Sequence, residues 1–250
     1  MKFGNRSKSP YYSGPLTLYP DELDVQYKSG KFYFIGTAVD MWHPNVADDD
    51  IAQVLTNCRL STMMTPAFLE KPTFLFQSKG PERFKRFLGE LPDSTWLATT
   101  IETDDVELYG DMSRAPSPYA RAVEMQRVYA SADKPLGCKF LLSVEPVMKW
   151  KDLDKFMELL LQVPWDMVSI GADTCGVLTP EQQPSPVQIT ELATALEESG
   201  AKVCVKRNCT NLITDKQYYR GYVTEWIQSG WIMDRKKKTR TRTERQPTFL

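Results

Sequence analysis

The sequence predicts an α/β fold, a closed or partly closed barrel of parallel strands. Three observations lead there. Short β-rich runs alternate along the chain with amphipathic stretches. The runs are apolar on both faces, as parallel strands covered by helices are. Each run ends in a polar cluster, and the G-x-G-x-x-G turn that opens a dinucleotide-binding sheet occurs nowhere.

The first run is Phe32–Thr37, followed by a helical pattern over Asp48–Arg59 that opens on three acids. Negative charge suits the positive end of a helix dipole. The second run, Thr73–Ser78, leads into Pro81–Leu91, where proline takes a first helical position and Phe84, Phe87, Leu88 and Leu91 form one apolar stripe. Thr95–Ile101 precedes the pattern at Pro118–Ala132. Lys139–Glu145 precedes Asp152–Val163. Asp166–Gly171 precedes Ser185–Ser199, with Gly200 as its C-cap. Lys202–Lys206 is the sixth run, and Asp215–Gln228 reads as a last helix. Strand, helix, strand in repetition means right-handed βαβ units. Residues 1–20 are an irregular lead-in, 21–233 a single barrel-like domain, and 234–250 a basic disordered tail.

Composition excludes several classes. A hydrophobic share of 42% and a charged share of 25% rule out whole-chain disorder. No apolar run approaches the roughly 18 residues of a membrane span. Five widely spaced cysteines are an odd count, which fits a reduced cytoplasmic protein. They form no C-x-x-C pair, so no metal site is expected. A single histidine excludes metallohydrolases that need two or three imidazoles. The net charge of −1 is uneven: seven basic residues against one acid give Arg235–Arg245 a charge of +6 and leave −7 elsewhere. That tail is a candidate nucleic-acid contact, or simply a solvated end.

The six strand ends carry Asp40, Lys79, Glu102, Glu145, Asp173 and Lys206 in turn. In parallel α/β folds the C-terminal strand ends converge on the ligand site. A small-molecule site on this rim is therefore expected. Glu145 is either a functional carboxylate or a brace for the barrel. Lys206 is either a catalytic amine or the partner of Glu145 or Asp173 in an ion pair. Thr100 and Glu102 have the donors and acceptors to hold ribose hydroxyls. Gly171 permits close approach to a flat ligand. His43, after Trp42, is a loop histidine or a proton-transfer group.

Taken together, the strand ends resemble a family. Phe34-Ile-Gly-Thr-Ala-Val-Asp-Met-Trp-His-Pro44 is similar to the F-V-G-S-x-S-D-x-F-H strand of a radical SAM-like family common in phage genomes, and Gln77-Ser-Lys-Gly-Pro-Glu-Arg-Phe84 to its T-K-x-P-E-R-F segment. Leu97–Thr103, Leu142–Pro146, Ile170–Thr174 and Val205–Asn208 follow in matching order. The resemblance spans about residues 16–213. It implies a partial TIM-type barrel that binds S-adenosylmethionine at its C-terminal strand ends. Gly36 and Thr37 would approach the methionine moiety, Thr100 and Glu102 the ribose, with Ser143 and Glu145 flanking it. Gly171 and Asp173 would lie near the adenine or the substrate. Asp40, Lys79, Glu145 and Lys206 are the candidate catalytic groups, on an unknown substrate.

The family holds a [4Fe-4S] cluster in a C-x-x-x-C-x-x-C loop after a preceding first strand. Neither is found here, and Met1 aligns just downstream of them. The expectation is a barrel without its first strand, with a cluster only if that loop is supplied. The open edge at Phe32–Thr37 would then invite self-association. Two rival readings need no cluster. One is a barrel lyase with a Lys206 Schiff base and Glu145 or Asp173 as acid-base. The other is a non-catalytic barrel that contacts nucleic acid through residues 235–245.

Overall fold

The computed structural model describes residue 23 and residues 25–36, 39–209 and 219–221. The lead-in at 1–20, Thr37 and the tail at 234–250 lie outside these described residues. Seven strands form one sheet: β1 (Phe32–Ile35), β2 (Thr73–Ser78), β3 (Thr95–Thr100), β4 (Lys139–Val144), β5 (Met167–Ile170), β6 (Val203–Lys206) and β7 (Tyr219–Gly221). They lie side by side in chain order, and every pairing is parallel. The first six curl into a half-barrel. Among the described residues β1 pairs only with β2, so its other side is a sheet edge.

Sequential order decides where the helices go. Right-handed crossovers that always step in one direction deliver every helix to the same face. That layer holds α1 (Asp48–Met64), a 3-10 helix (Pro81–Glu90), α3 (Pro118–Ala130), α4 (Leu153–Leu160) and α5 (Pro186–Glu198). Neighbours pack in order, α1 on the 3-10 helix, that on α3, α3 on α4 and α4 on α5. The main core fills the space beneath them, with Phe74, Phe76, Leu97, Phe140, Val168 and Val205 pointing toward the helices. Alternate residues Leu75, Trp96, Ala98, Leu141, Met167 and Cys204 form a second, smaller cluster on the other face. Both faces of the sheet are thus buried, which is why the strands read as continuous apolar runs.

The helices begin where their sequences say. Ser117 and Ser185 cap α3 and α5, each followed by proline. Asp152 caps α4, accepting from the Lys155 N–H. α1 has no side-chain cap and opens instead on Asp48, Asp49 and Asp50, which complement its dipole. Gly200 follows α5 with φ +90, a left-handed cap.

Three departures from expectation have local causes. β1 stops at Ile35 because Gly36 takes φ +76 and turns the chain. The stripe at Pro81–Leu91 is a 3-10 helix, in which residues three apart eclipse. Phe84 and Phe87 therefore meet Trp42 together, with ring centroids 4.8 and 5.8 Å away. The helix expected over Asp215–Gln228 is corrected at Tyr219–Gly221, which is a strand. It pairs Tyr219 with Cys204 and Gly221 with Lys206. The bare edge of β6 offers backbone partners there, and tyrosine suits a strand better than glycine suits a helix.

Candidate functional site

Two groups of charged side chains form at the C-terminal rim. The first lies over β2 and β3. α3 enters the fold at this rim, and Arg121 in its first turn reaches over the end of β3. Its guanidinium bonds Glu102 through both terminal nitrogens, at 2.6 and 3.3 Å, and also donates to the Thr100 hydroxyl. Lys79, at the end of β2, meets the same carboxylate at 2.6 Å. Glu102 is 1% exposed and Arg121 0%, whereas Lys79 is 39% exposed. Burial pushes the Glu102 carboxyl up, but the Arg121 and Lys79 charges outweigh it and hold it below the ordinary range. The Arg121 guanidinium also lies 4.9 Å from the Tyr109 ring centroid.

Asp40 adjoins this group without joining it. Its carboxylate accepts from the Ser78 hydroxyl at 2.8 Å, the Lys79 N–H at 3.1 Å and the Trp42 N–H at 3.0 Å. It ties the loop after β1 to the end of β2. Arg83 anchors the same loop by donating to the carbonyls of His43 and Val46 while pairing with Asp48. His43 is exposed, and its Nδ1 accepts from the Asn45 N–H at 3.2 Å.

The second group lies over β4, β5 and β6. Lys206 pairs with one oxygen of Glu145, and the Asn208 amide donates to the other at 3.0 Å. Asn208 also grips the Ala172 backbone in both directions, at 3.0 and 3.2 Å. Three strand ends are thereby joined. Gly171 lies directly beneath: a Cβ there would run into the Glu145 carboxylate and come within 2.8 Å of its Cγ. A side chain at 171 would push the Glu145 carboxylate out of this position.

Ser143 links the groups, paired in register with Thr100 on one side and Ser169 on the other. Asp173 belongs to neither. Its carboxylate accepts N–H groups from Cys175, Val177 and Leu178, closing the loop after β5. It is partly desolvated, yet those backbone donors hold it below the ordinary carboxylate range. Gly36 is the turn after β1. The structure thus brings Lys79, Thr100 and Glu102 together, and separately Glu145, Gly171 and Lys206.

Sequence reasoning gave no role to Arg121 or Asn208. Arg121 carried a signal: with Met125 and Val128 it follows helical spacing along the buried stripe of α3. A charge on an apolar stripe asks for a buried partner.

Among the described residues no group of three or more histidine, cysteine or acidic side chains could hold a metal ion. Burial pushes the Cys58, Cys138 and Cys209 thiols up to about 12, which disfavours the thiolate that a metal or cluster needs. Cys204 is buried and Cys175 exposed. These cysteines do not fit a [4Fe-4S] cluster, and no step is assigned through one. No helix among the described residues is long and apolar enough to cross a membrane. Comparison with protein-family models, curated proteins and solved structures gives no match.

Proposed function

We propose that the C-terminal rim of the half-barrel binds S-adenosylmethionine, as the family resemblance of its strand ends implies, and that the fold is a partial TIM-type barrel of the radical SAM kind. One observation carries the reading. The six segments with the family's motifs lie on consecutive parallel strands of one sequentially ordered sheet, so their polar ends share one rim. The donor set suits a zwitterionic nucleoside. It includes a partly exposed ammonium at Lys79 and a carboxylate at Glu145 that is 28% exposed.

The geometry shifts the roles among these residues. Glu102 is saturated by Arg121 and Lys79 and sealed from water, so the ribose hydroxyls fall to Glu145. Asp173 shapes the loop that would border the adenine. The assignment ends at binding: radical chemistry on a substrate belongs to a form in which other residues supply the cluster.

Calorimetric titration of the protein with S-adenosylmethionine tests the reading. Binding that weakens about tenfold in Glu145→Gln, the worth of one charge-assisted hydrogen bond, is the expected result. No heat from the unaltered chain would sink it. A Schiff-base lyase is the second reading, favoured by the direct contact between the Lys206 amine and the Glu145 carboxylate. Borohydride trapping of a carbonyl compound on Lys206 would turn the assignment that way.

A further inference from the structure

Among the described residues Glu145 meets one cation, Lys206. Glu102 meets two. Arg121 alone engages both of its oxygens, and Lys79 then adds a second positive charge. Asp40 lies against the Lys79 backbone but spends its carboxylate on three neutral donors. An ammonium carries three N–H donors. The partner of the Lys79 ammonium among the described residues is Glu102, and the side chain is 39% exposed. Behind it the Arg121 Nε is buried without a hydrogen-bond partner. At the Lys79 ammonium, donors outnumber the acceptors that the described residues supply.

We infer that Lys79 is an anion-recognition residue, which takes a carboxylate from a ligand bound at the rim. The inference rests on the rim being the ligand site. The Asp40 carboxylate beside the Lys79 backbone would repel a dianion more than a monoanion, which favours a carboxylate over a phosphate. A lysine acts as a point charge on a flexible stem, and Glu102 holds that stem in place. Glu102 and Arg121 are positioning residues, since neither exposes an atom to a ligand. The carboxylate has two sources, the amino-acid end of S-adenosylmethionine or a separate substrate.

The test reads the Lys79 amine in the full chain. Limited acetylation is followed by mass spectrometry, with Lys71 at the opposite end of β2 as the internal reference. The probes are propionate, S-adenosylmethionine and decarboxylated S-adenosylmethionine, with chloride holding ionic strength constant. Slower acetylation of Lys79 alone in propionate is the expected result. Protection by S-adenosylmethionine but not by its decarboxylated form assigns the carboxylate to that molecule. Propionate protection that persists with the decarboxylated form bound assigns it to a substrate. Read by calorimetric titration, Lys79→Met should weaken binding of the protecting carboxylate about tenfold, and Lys79→Arg should restore most of it. Equal labelling of Lys79 in every condition overturns the inference. If S-adenosylmethionine fails to bind while propionate protects, the cofactor reading falls and the anion site stands.

Discussion

Glu102 and Glu145 each follow a parallel strand and each meet a lysine, yet their surroundings oppose one another. Glu102 is sealed from water and takes a guanidinium that is equally sealed. Glu145 stands about a quarter exposed with a lysine exposed to the same degree and a neutral amide. The choice of cation follows. A buried carboxylate needs a partner that cannot shed its proton and that fits both oxygens at once, which is arginine. At the exposed site water shares the solvation, and a lysine suffices. The first pair is structural because removal of either member strands a charge. The second leaves its acid open to water.

The largest expected effect tests that division. Glu102→Gln leaves the Arg121 cation buried with no carboxylate at hand, which should cost about 3–5 kcal/mol. Urea denaturation would measure it, and a loss below that of any change at Glu145 would break the comparison. The same variant sharpens it through pH. The folded Glu102 carboxyl lies below the ordinary range, because Arg121 and Lys79 outweigh its burial. Its stabilisation is therefore complete above the ordinary carboxylate range and is lost as pH falls through the folded value. Glu102→Gln should flatten the acid limb of the stability curve. Matching slopes in both proteins would show that other carboxylates set that limb.

Gly171→Ala comes next. The added methyl overlaps the Glu145 carboxylate, a crowding that should cost about 1–3 kcal/mol. Combined with Glu145→Ala the penalty should largely vanish, a coupling that a double-mutant cycle reads. Additive losses would mean that the glycine answers to something else. Smallest is Lys206→Met. A partly exposed ion pair contributes about 0–1 kcal/mol, so thermal melting should move only slightly, and a large drop would place Lys206 in the structural class with Arg121.

Much of this fold was legible in the sequence. The strands could be read because both sheet faces are buried, so β3 and β5 are apolar or small at every position. The rim could be read because polarity returns abruptly where each strand ends. What stayed hidden depends on tertiary contact. α2 (Val106–Met112) is a single short helix whose only mark is its cap, Asp105, which accepts the Glu107 and Leu108 N–H groups. β7 is a strand through pairing with β6, not through its own pattern. Lys79, Glu102 and Glu145 stood out as rim charges, but their division into a sealed and an open cluster turns on Arg121 and Asn208. One comes from a helix and the other from a 3-10 turn at Arg207–Cys209, and strand patterns say nothing about either.

The agreement between strand order and chain order reaches back to synthesis. Each strand docks on the one made just before it, so no part of the sheet waits for a distant segment to leave the ribosome. Each closure spans a single crossover, although parallel pairing is slow in itself, and N-terminal units can settle first as the chain emerges. The two clusters are then completed at different moments. The Glu102 cluster closes once α3 has emerged. The Glu145 cluster waits for Lys206 and Asn208, so that end of the rim is among the last parts of the described sheet to be assembled.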